Sequence, residues 1–136
     1  MARIIDIEGI GPANAKKLTA AGIKTTAGLL KAAGDKKARK AFAAQTGIAD
    51  SSLLEWVNRA DLFRVKGVGK QWSDLLEAAG VDSALELSKR RADKLAEACA
   101  AADTKGKNRL VRQLPSEKQI AAMIAHAKTL DKVVTH

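Results

Sequence analysis

The chain has little capacity for covalent or metal-based stabilisation, because Cys99 is its only cysteine. A single thiol excludes an intramolecular disulfide and a sulfur-based metal cluster. Cys99 lies in an alanine-rich run and is interpreted as a small, buried hydrophobic side chain. No cofactor or metal site is therefore expected, and a reducing cytoplasm is the expected compartment.

Residues that favour strands or interrupt helices are scarce: tyrosine is absent, proline occurs twice and aromatic residues make up 3% of the chain. The core, built largely from alanine and aliphatic residues, is expected to be thin, with helices lying close together. Apolar residues recur with a helical period throughout, and no apolar run is long enough to span a membrane. The sequence therefore predicts an all-α fold, with no signal peptide and no transmembrane helix.

Catalytic motifs are also missing. His126 stands alone in a predicted amphipathic helix and His136 lies at the end of the chain. There is no H-E-x-x-H sequence, no P-loop, no serine elbow and no carboxylate cluster with metal-ligand spacing. A structural or surface role is favoured for His126, and the protein is not expected to be an enzyme.

Positive charge is abundant, with a formal net charge of +9 and a pI near 9.9. It is spread evenly: residues 1–61 carry 10 basic and 6 acidic side chains, and residues 62–136 carry 14 and 9. Such a balance is typical of proteins that bind nucleic acid, although a general contribution to solubility is the alternative.

A short glycine phrase occurs twice, as Gly9-Ile10-Gly11 and, 58 residues later, as Gly67-Val68-Gly69. The match continues, since Leu18-Thr19-Ala20-Ala21-Gly22-Ile23 pairs with Leu76-Glu77-Ala78-Ala79-Gly80-Val81. A repeat of this kind predicts two similar helical units, residues 1–61 and 62–136, each extended by further helices and sharing a compact core.

Periodicity and capping residues define the helices of each unit. In the first unit, helices are predicted at 3–8, 12–21, from Thr25 or Thr26 to Gly34, at 36–46 after Asp35, and after a cap at Asp50. In the second they are predicted at 70–79, from a capping box at Ser83 and Glu86 to about 90, at 92–102, and after Ser116. Residues 131–136 are expected to fray.

At the glycine phrases the chain resembles the helix-hairpin-helix family. The matching residues are Gly9-Ile10-Gly11-Pro12, Ala15 and Leu18 in the first unit, and Gly67-Val68-Gly69, Ser73 and Leu76 in the second. From Ile4 to about Leu130 the order of motifs is similar to a bacterial tandem helix-hairpin-helix domain family catalogued without an assigned function; residues 54–62 and 110–116 carry this closer likeness. The resemblance implies binding of nucleic-acid backbones without sequence readout, although some family members only pack or bind protein.

The second hairpin is the leading candidate site. Lys66 and Lys70 flank its glycines, and backbone amides near Gly69 and Gln71 are expected at a helix start, where they favour an anion. Trp72 lies close by and is interpreted either as a contact for a sugar or an unstacked base, or as a core residue between the units. The predicted contact residues here are Lys66, Gly67, Val68, Gly69, Lys70 and Gln71.

The first hairpin is the weaker candidate. Glu8 would repel a phosphate, Pro12 removes a donor, and Ala13 stands where binding members of the family often carry lysine. This copy is expected to be mainly structural, which argues against a symmetric grip by two hairpins. Its candidate contact residues are Gly9, Gly11, Lys16 and Lys17.

Two basic clusters follow the hairpins at roughly corresponding positions. The first contains Lys36, Lys37, Arg39 and Lys40; the second contains Lys89, Arg90, Arg91 and Lys94, and could be extended by Lys105, Lys107, Arg109 and Arg112. Each cluster alone is typical of a solvated face, but together they would extend a phosphate-binding surface.

These observations favour a non-sequence-specific nucleic-acid-binding module, with DNA preferred over RNA by family resemblance alone. The alternative is a protein-interaction or assembly scaffold built from the same repeats. Salt dependence separates the two, since a backbone-binding module loses affinity steeply as salt is raised.

Overall fold

The computed structural model describes residues 3–7, 9–103 and 113–135, in which an isolated bridge between Arg3 and Thr25 is the sole β feature. The predicted all-α class is confirmed. A short 3-10 helix at Ile4–Asp6 comes first. The α-helices of the described ranges are α1 (Gly11–Ala20), α2 (Thr26–Ala33), α3 (Lys36–Thr46), α4 (Asp50–Leu62), α5 (Lys70–Ala78), α6 (Ala84–Ser88), α7 (Ala92–Asp103) and α8 (Glu117–Ala127). None of the helices described is long and apolar enough to cross a membrane.

The chain divides into two compact units. Unit 1 comprises Met1–Phe63 together with Lys132–His136, and unit 2 comprises Arg64–Asp131. The division falls two residues beyond the predicted boundary. The C-terminal segment, predicted to belong to the second unit, instead packs with the first.

Unit 1 is organised around α2 and α4, which pack against each other and against α3. Leu18, Leu29, Leu53 and Val57 are completely buried in its core. Burial of each such aliphatic side chain contributes about 1.5–3 kcal/mol relative to exposure. Trp56, on α4, is also buried in this core.

The C-terminal segment is an integral part of unit 1. Val134 is 5% exposed, the Thr135 amide donates to the Gly34 carbonyl over 3.0 Å, and Thr135 Oγ1 accepts from the Lys36 amide over 2.7 Å. The prediction that this segment frays is therefore wrong for residues 132–135. A β-carbon added to Gly34 would lie 2.5 Å from the Val133 carbonyl oxygen, so this close approach requires glycine.

Unit 2 is organised around α8, which packs against α6 and α7, while α7 also packs against α5. Leu75, Leu87 and Ile120 are completely buried. Cys99, on α7, is 1% exposed, which agrees with its interpretation as a core residue.

The 58-residue repeat corresponds to repeated local geometry. Gly22 after α1 has φ +87°, and Gly80 after α5 has φ +95°. The following residue donates back into the helix in both units: the Ile23 amide to the Leu18 carbonyl over 2.9 Å, and the Val81 amide to Leu76 over 2.8 Å. A left-handed glycine with such a bond is a common helix terminator, so the same residues end both helices in the same way.

Most of the predicted capping residues are observed. Thr25, Asp35, Ser83 and Ser116 each accept a hydrogen bond from a backbone amide in the first turn of their helix. Two details differ. Asp50 is the first residue of α4 and Ala49 occupies the cap. The Glu86 carboxylate bonds the Arg90 guanidinium, whose Nε lies 3.2 Å from Oε1, instead of completing a capping box with Ser83.

Candidate functional site

The second glycine turn is a tight reversal just before α5. The Val68 amide donates to the Val65 carbonyl over 3.1 Å, and Gly67 adopts φ +91°, a left-handed conformation that favours glycine. Val65 and Val68 are buried, whereas Gly67 and Gly69 are exposed. The apolar residues of the phrase thus anchor the turn in unit 2, and its glycine backbone lies at the surface.

Gly69 is the N-cap residue, immediately before the first residue of α5. Its backbone is extended, with φ −104° and ψ −167°, and the first intrahelical bond runs from the Ser73 amide to the Gly69 carbonyl over 2.9 Å. With no side chain, Gly69 provides no capping oxygen, unlike the threonine and serines that cap α2, α6 and α8. An anion that approaches the positive end of the α5 dipole therefore meets exposed glycine backbone and no capping side chain.

Two exposed lysines flank this helix start. Lys66 precedes the glycines, and Lys70 is the first residue of α5. Lys70 Nζ lies 3.8 Å from Asp74 Oδ2, with half of the lysine side chain exposed. Asp74 is only partly exposed, but an ion pair of this length with a half-exposed lysine contributes little to stability, so the Lys70 ammonium can exchange this partner for a stronger anion.

His126 holds the turn from the last part of α8. The Lys66 amide donates to His126 Nδ1 over 2.9 Å, and His126 is half-buried. The predicted structural role of His126 is consistent with this contact. The bond fixes the backbone at Lys66 while the lysine side chain remains exposed.

A cavity of about 450 Å³ opens beside the second glycine turn. The described residues that line it are Gly67, Gly69, Lys70, Gln71, Trp72 and Gln113. Trp72 is half-buried, and its indole Nε1–H donates to the Gln113 carbonyl over 3.0 Å. Four of the six predicted contact residues, Gly67, Gly69, Lys70 and Gln71, therefore meet at one concave surface together with Trp72.

The first glycine turn shares only part of this geometry. Gly9 has φ +92° and Ile10 is 1% exposed, matching Gly67 and Val68, but Gly11 has φ +66° and is itself the first residue of α1. Gly9 and Gly11 are exposed, as are Lys16 and Lys17 on α1. Glu8, predicted to repel phosphate, lies outside the described residues.

The first basic cluster is divided by burial. Lys36, Lys37 and Lys40 are exposed, but Arg39 is 1% exposed. Its guanidinium donates to the carbonyls of Ala33, Gly34 and Thr135 over 3.3, 3.0 and 2.8 Å. The prediction of Arg39 as a nucleic-acid contact is therefore wrong, because its donors satisfy the end of α2 and the C-terminal segment.

The second basic cluster is only partly available. Lys89, Arg91 and Lys94 are exposed. Arg90 Nη2 donates to the Gly80 carbonyl over 3.0 Å and pairs with Glu86, so much of its guanidinium is used at the end of α5. The possible extension through Lys105, Lys107, Arg109 and Arg112 lies outside the described residues.

The acidic residue of this cluster is Asp93. Its carboxylate accepts from the Lys94 amide over 2.9 Å and from Arg91 Nη2 over 3.1 Å. The Lys94 amide bond and the nearby Arg91 charge hold the pKa of Asp93 below its ordinary value. Arg91 therefore has a local anionic partner that a phosphate would have to replace.

Among the residues that the structure describes, no group of three or more His, Cys, Asp or Glu side chains could hold a metal ion. Burial raises the pKa of the Cys99 thiol to about 11, so this cysteine is a poor nucleophile at neutral pH.

Comparison with known proteins adds a family assignment. The model of the family described as Domain of unknown function (DUF4332) matches residues 8–130. The chain belongs to the DUF4332 family. Comparisons with curated proteins and with solved structures give no significant match.

In this DUF4332 member, sequence reasoning missed two residues at the site. Gln113 supplies the carbonyl that positions Trp72, and His126 supplies the acceptor that holds Lys66. Both lie more than 40 residues from their partners along the chain, and no local pattern marks them. The assembled surface combines exposed backbone at a helix start, lysine ammonium groups and an indole, which together suit a phosphate next to a planar ring.

Proposed function

We propose that the protein is a non-sequence-specific nucleic-acid-binding module, of the helix-hairpin-helix type, which grips the phosphate backbone at its second glycine turn. The observation that carries the proposal is the start of α5, where exposed Gly69 lies between exposed Lys66 and Lys70. The preference for DNA over RNA rests on the family resemblance.

The chemistry at this position suits a phosphate. The positive end of the α5 dipole and the amide groups of its first turn attract anions. The absence of a β-carbon at Gly67 and Gly69 permits close approach of a phosphate oxygen to the backbone. Lys66 and Lys70 add ammonium donors, and contacts of this kind bind the backbone without reading bases.

Other exposed cations would strengthen the interaction. Those on α3, around α6 and α7, and on α1 are Lys36, Lys37 and Lys40, then Lys89, Arg91 and Lys94, and finally Lys16 and Lys17. Each cation that contacts a phosphate releases counterions, which makes affinity fall with salt. We expect non-specific dissociation constants of roughly 10⁻⁴–10⁻⁶ M at physiological salt.

The test is a salt titration with two fluorescent DNA duplexes of equal length and unrelated sequence. Both should bind with similar affinity, and affinity should fall steeply with salt. The double substitution Lys66→Glu and Lys70→Glu should weaken binding to both duplexes equally. It should also reduce the slope of log K against log salt by about two, one for each lost phosphate contact.

A matched control is the pair Lys24→Glu and Lys31→Glu. Both lysines are exposed and lie outside the proposed contact set, and the change in net charge is identical. The control should lose much less affinity. Equal loss in the two double variants would show that net charge alone governs binding, and absence of binding at low salt would overturn the proposed function.

A further inference from the structure

The cavity beside the second glycine turn has a composition that a phosphate site by itself does not require. Its lining includes Trp72, the glycines Gly67 and Gly69, and Lys70. An indole next to a cation site provides a flat apolar face within reach of bound phosphate. Such pairing suits a ligand that carries a planar ring and a negative charge together.

The Trp72 ring is held in place. Its Nε1–H donates to the Gln113 carbonyl over 3.0 Å, so the polar edge of the indole is satisfied within unit 2. The cavity volume of about 450 Å³ lies within the range common for small-molecule sites. A positioned ring loses little conformational freedom on binding, which favours stacking over a flexible contact.

We propose that this cavity accepts one unpaired nucleotide of a single-stranded segment or strand end, with its base stacked on Trp72 and its phosphate at the start of α5. The inference rests on the proposed phosphate site and adds to it a preference for unpaired nucleic acid. A base inside a duplex is stacked on its neighbours, so its face is inaccessible to Trp72. A single strand presents that face, and stacking on an aromatic residue tolerates any base.

The occupant follows from charge complementarity. Lys66 and Lys70 favour an anion, which an uncharged apolar ligand would not supply. The indole favours an aromatic ring, which inorganic phosphate or an aliphatic acid would not supply. A nucleotide within a strand supplies both at fixed spacing.

The experiment compares three probes of equal length: an oligothymidine, a fully abasic strand with the same phosphates, and a duplex. The wild-type protein should bind the oligothymidine about tenfold more tightly than the abasic strand, the loss that removing one base-stacking contact commonly causes. Tryptophan fluorescence should be quenched by the oligothymidine and little changed by the abasic strand.

Substitution then assigns the effect to Trp72. Trp72→Leu should reduce the ratio of oligothymidine to abasic affinity to about one, while affinity for the abasic strand is retained. Trp72→Phe keeps an aromatic face and should retain part of the ratio. Circular dichroism should verify that both variants fold. If Trp72→Leu does not fold, base stacking is still tested by the affinity ratio of Trp72→Phe and by the fluorescence of the wild-type protein.

The two proposals fail differently. Equal affinity of the wild-type protein for oligothymidine and abasic strand, or a ratio that persists in Trp72→Leu, would overturn base stacking while backbone binding stands. Absence of binding to the duplex and the abasic strand would overturn backbone binding itself.

Discussion

Met123 lies behind Gly67: a β-carbon on that glycine would be 3.9 Å from the methionine Cε. In unit 1 the corresponding pair is Gly9 and Trp56, where the distance from such a β-carbon to the indole Nε1 is 3.7 Å. Met123 is a buried residue of α8, and Trp56 is a buried residue of α4. Each glycine turn is thus backed by the buried face of its unit's last helix.

Replacing Gly67 with alanine should destabilise unit 2. Gly67 has φ +91°, and a left-handed conformation costs an ordinary residue about 1–2 kcal/mol. Space is not the cause, because the added β-carbon would be in ordinary contact with Met123. Urea unfolding followed by circular dichroism measures the loss, and an unchanged midpoint would contradict the assigned backbone conformation. Gly28→Ala is a suitable control, since Gly28 has no positive φ and lies within a helix.

Replacing Gly69 with serine should raise stability and lower nucleic-acid affinity. The extended backbone of Gly69 suits a capping serine, and nothing lies within 4 Å of an added β-carbon. A serine oxygen would accept an amide of the first turn of α5, stabilising the helix by a few tenths of a kcal/mol. The same oxygen would oppose a phosphate at that helix start. The unfolding temperature should therefore rise while the affinity for duplex falls. A rise in both would argue against phosphate binding at this helix start.

Arg39 and Lys40 are neighbours in sequence, but their substitution should have different effects on stability. Arg39→Met removes the arginine donor from the Ala33 and Thr135 carbonyls, and leaves the Gly34 carbonyl with the Thr135 amide alone, so it should cost about 3 kcal/mol of unfolding free energy. Lys40→Met removes the same charge from an exposed position and should change stability by less than about 0.5 kcal/mol. Chemical unfolding separates the two, and a mild effect of Arg39→Met would contradict its structural role.

Salt titration of the same two variants provides the second half of the comparison. Lys40→Met should reduce the salt dependence of duplex binding if Lys40 contacts phosphate. Arg39→Met, measured under conditions where the variant is folded, should leave the salt dependence of duplex binding unchanged. The reverse pattern would mean that Arg39 is exposed in solution.

Stability should fall at high pH in a way that depends on Cys99. Burial raises the pKa of this thiol from an ordinary 9.0 to about 11. Between these values the unfolded chain loses the thiol proton while the folded chain keeps it, so the free energy of unfolding decreases as pH rises. Below pH 9 the thiol contributes no pH dependence. Cys99→Ala should remove this component. The difference in unfolding free energy between wild type and Cys99→Ala should therefore narrow from pH 9 to 11. Parallel plots of unfolding free energy against pH for the two proteins would contradict burial of the thiol.

Local sequence determined the helices and their ends. Thr25, Asp35, Ser83 and Ser116 cap helices where predicted, because a cap is a contact within three residues along the chain. The repeated glycines end α1 and α5 in the same way, because a left-handed terminator depends on the residue itself.

Tertiary structure decided which polar residues are available for binding. Arg39 sits in a basic run that is typical of a solvated face, yet its guanidinium reaches Thr135, 96 residues away. The C-terminal segment was expected to fray because no local signal anchors it, but Val134 and Thr135 pack into unit 1. Likewise, only folding brings Gln113 to Trp72 and His126 to Lys66. Capping and turn preferences act between near neighbours and can be predicted from sequence; burial and distant hydrogen bonds depend on where the packed helices place each side chain.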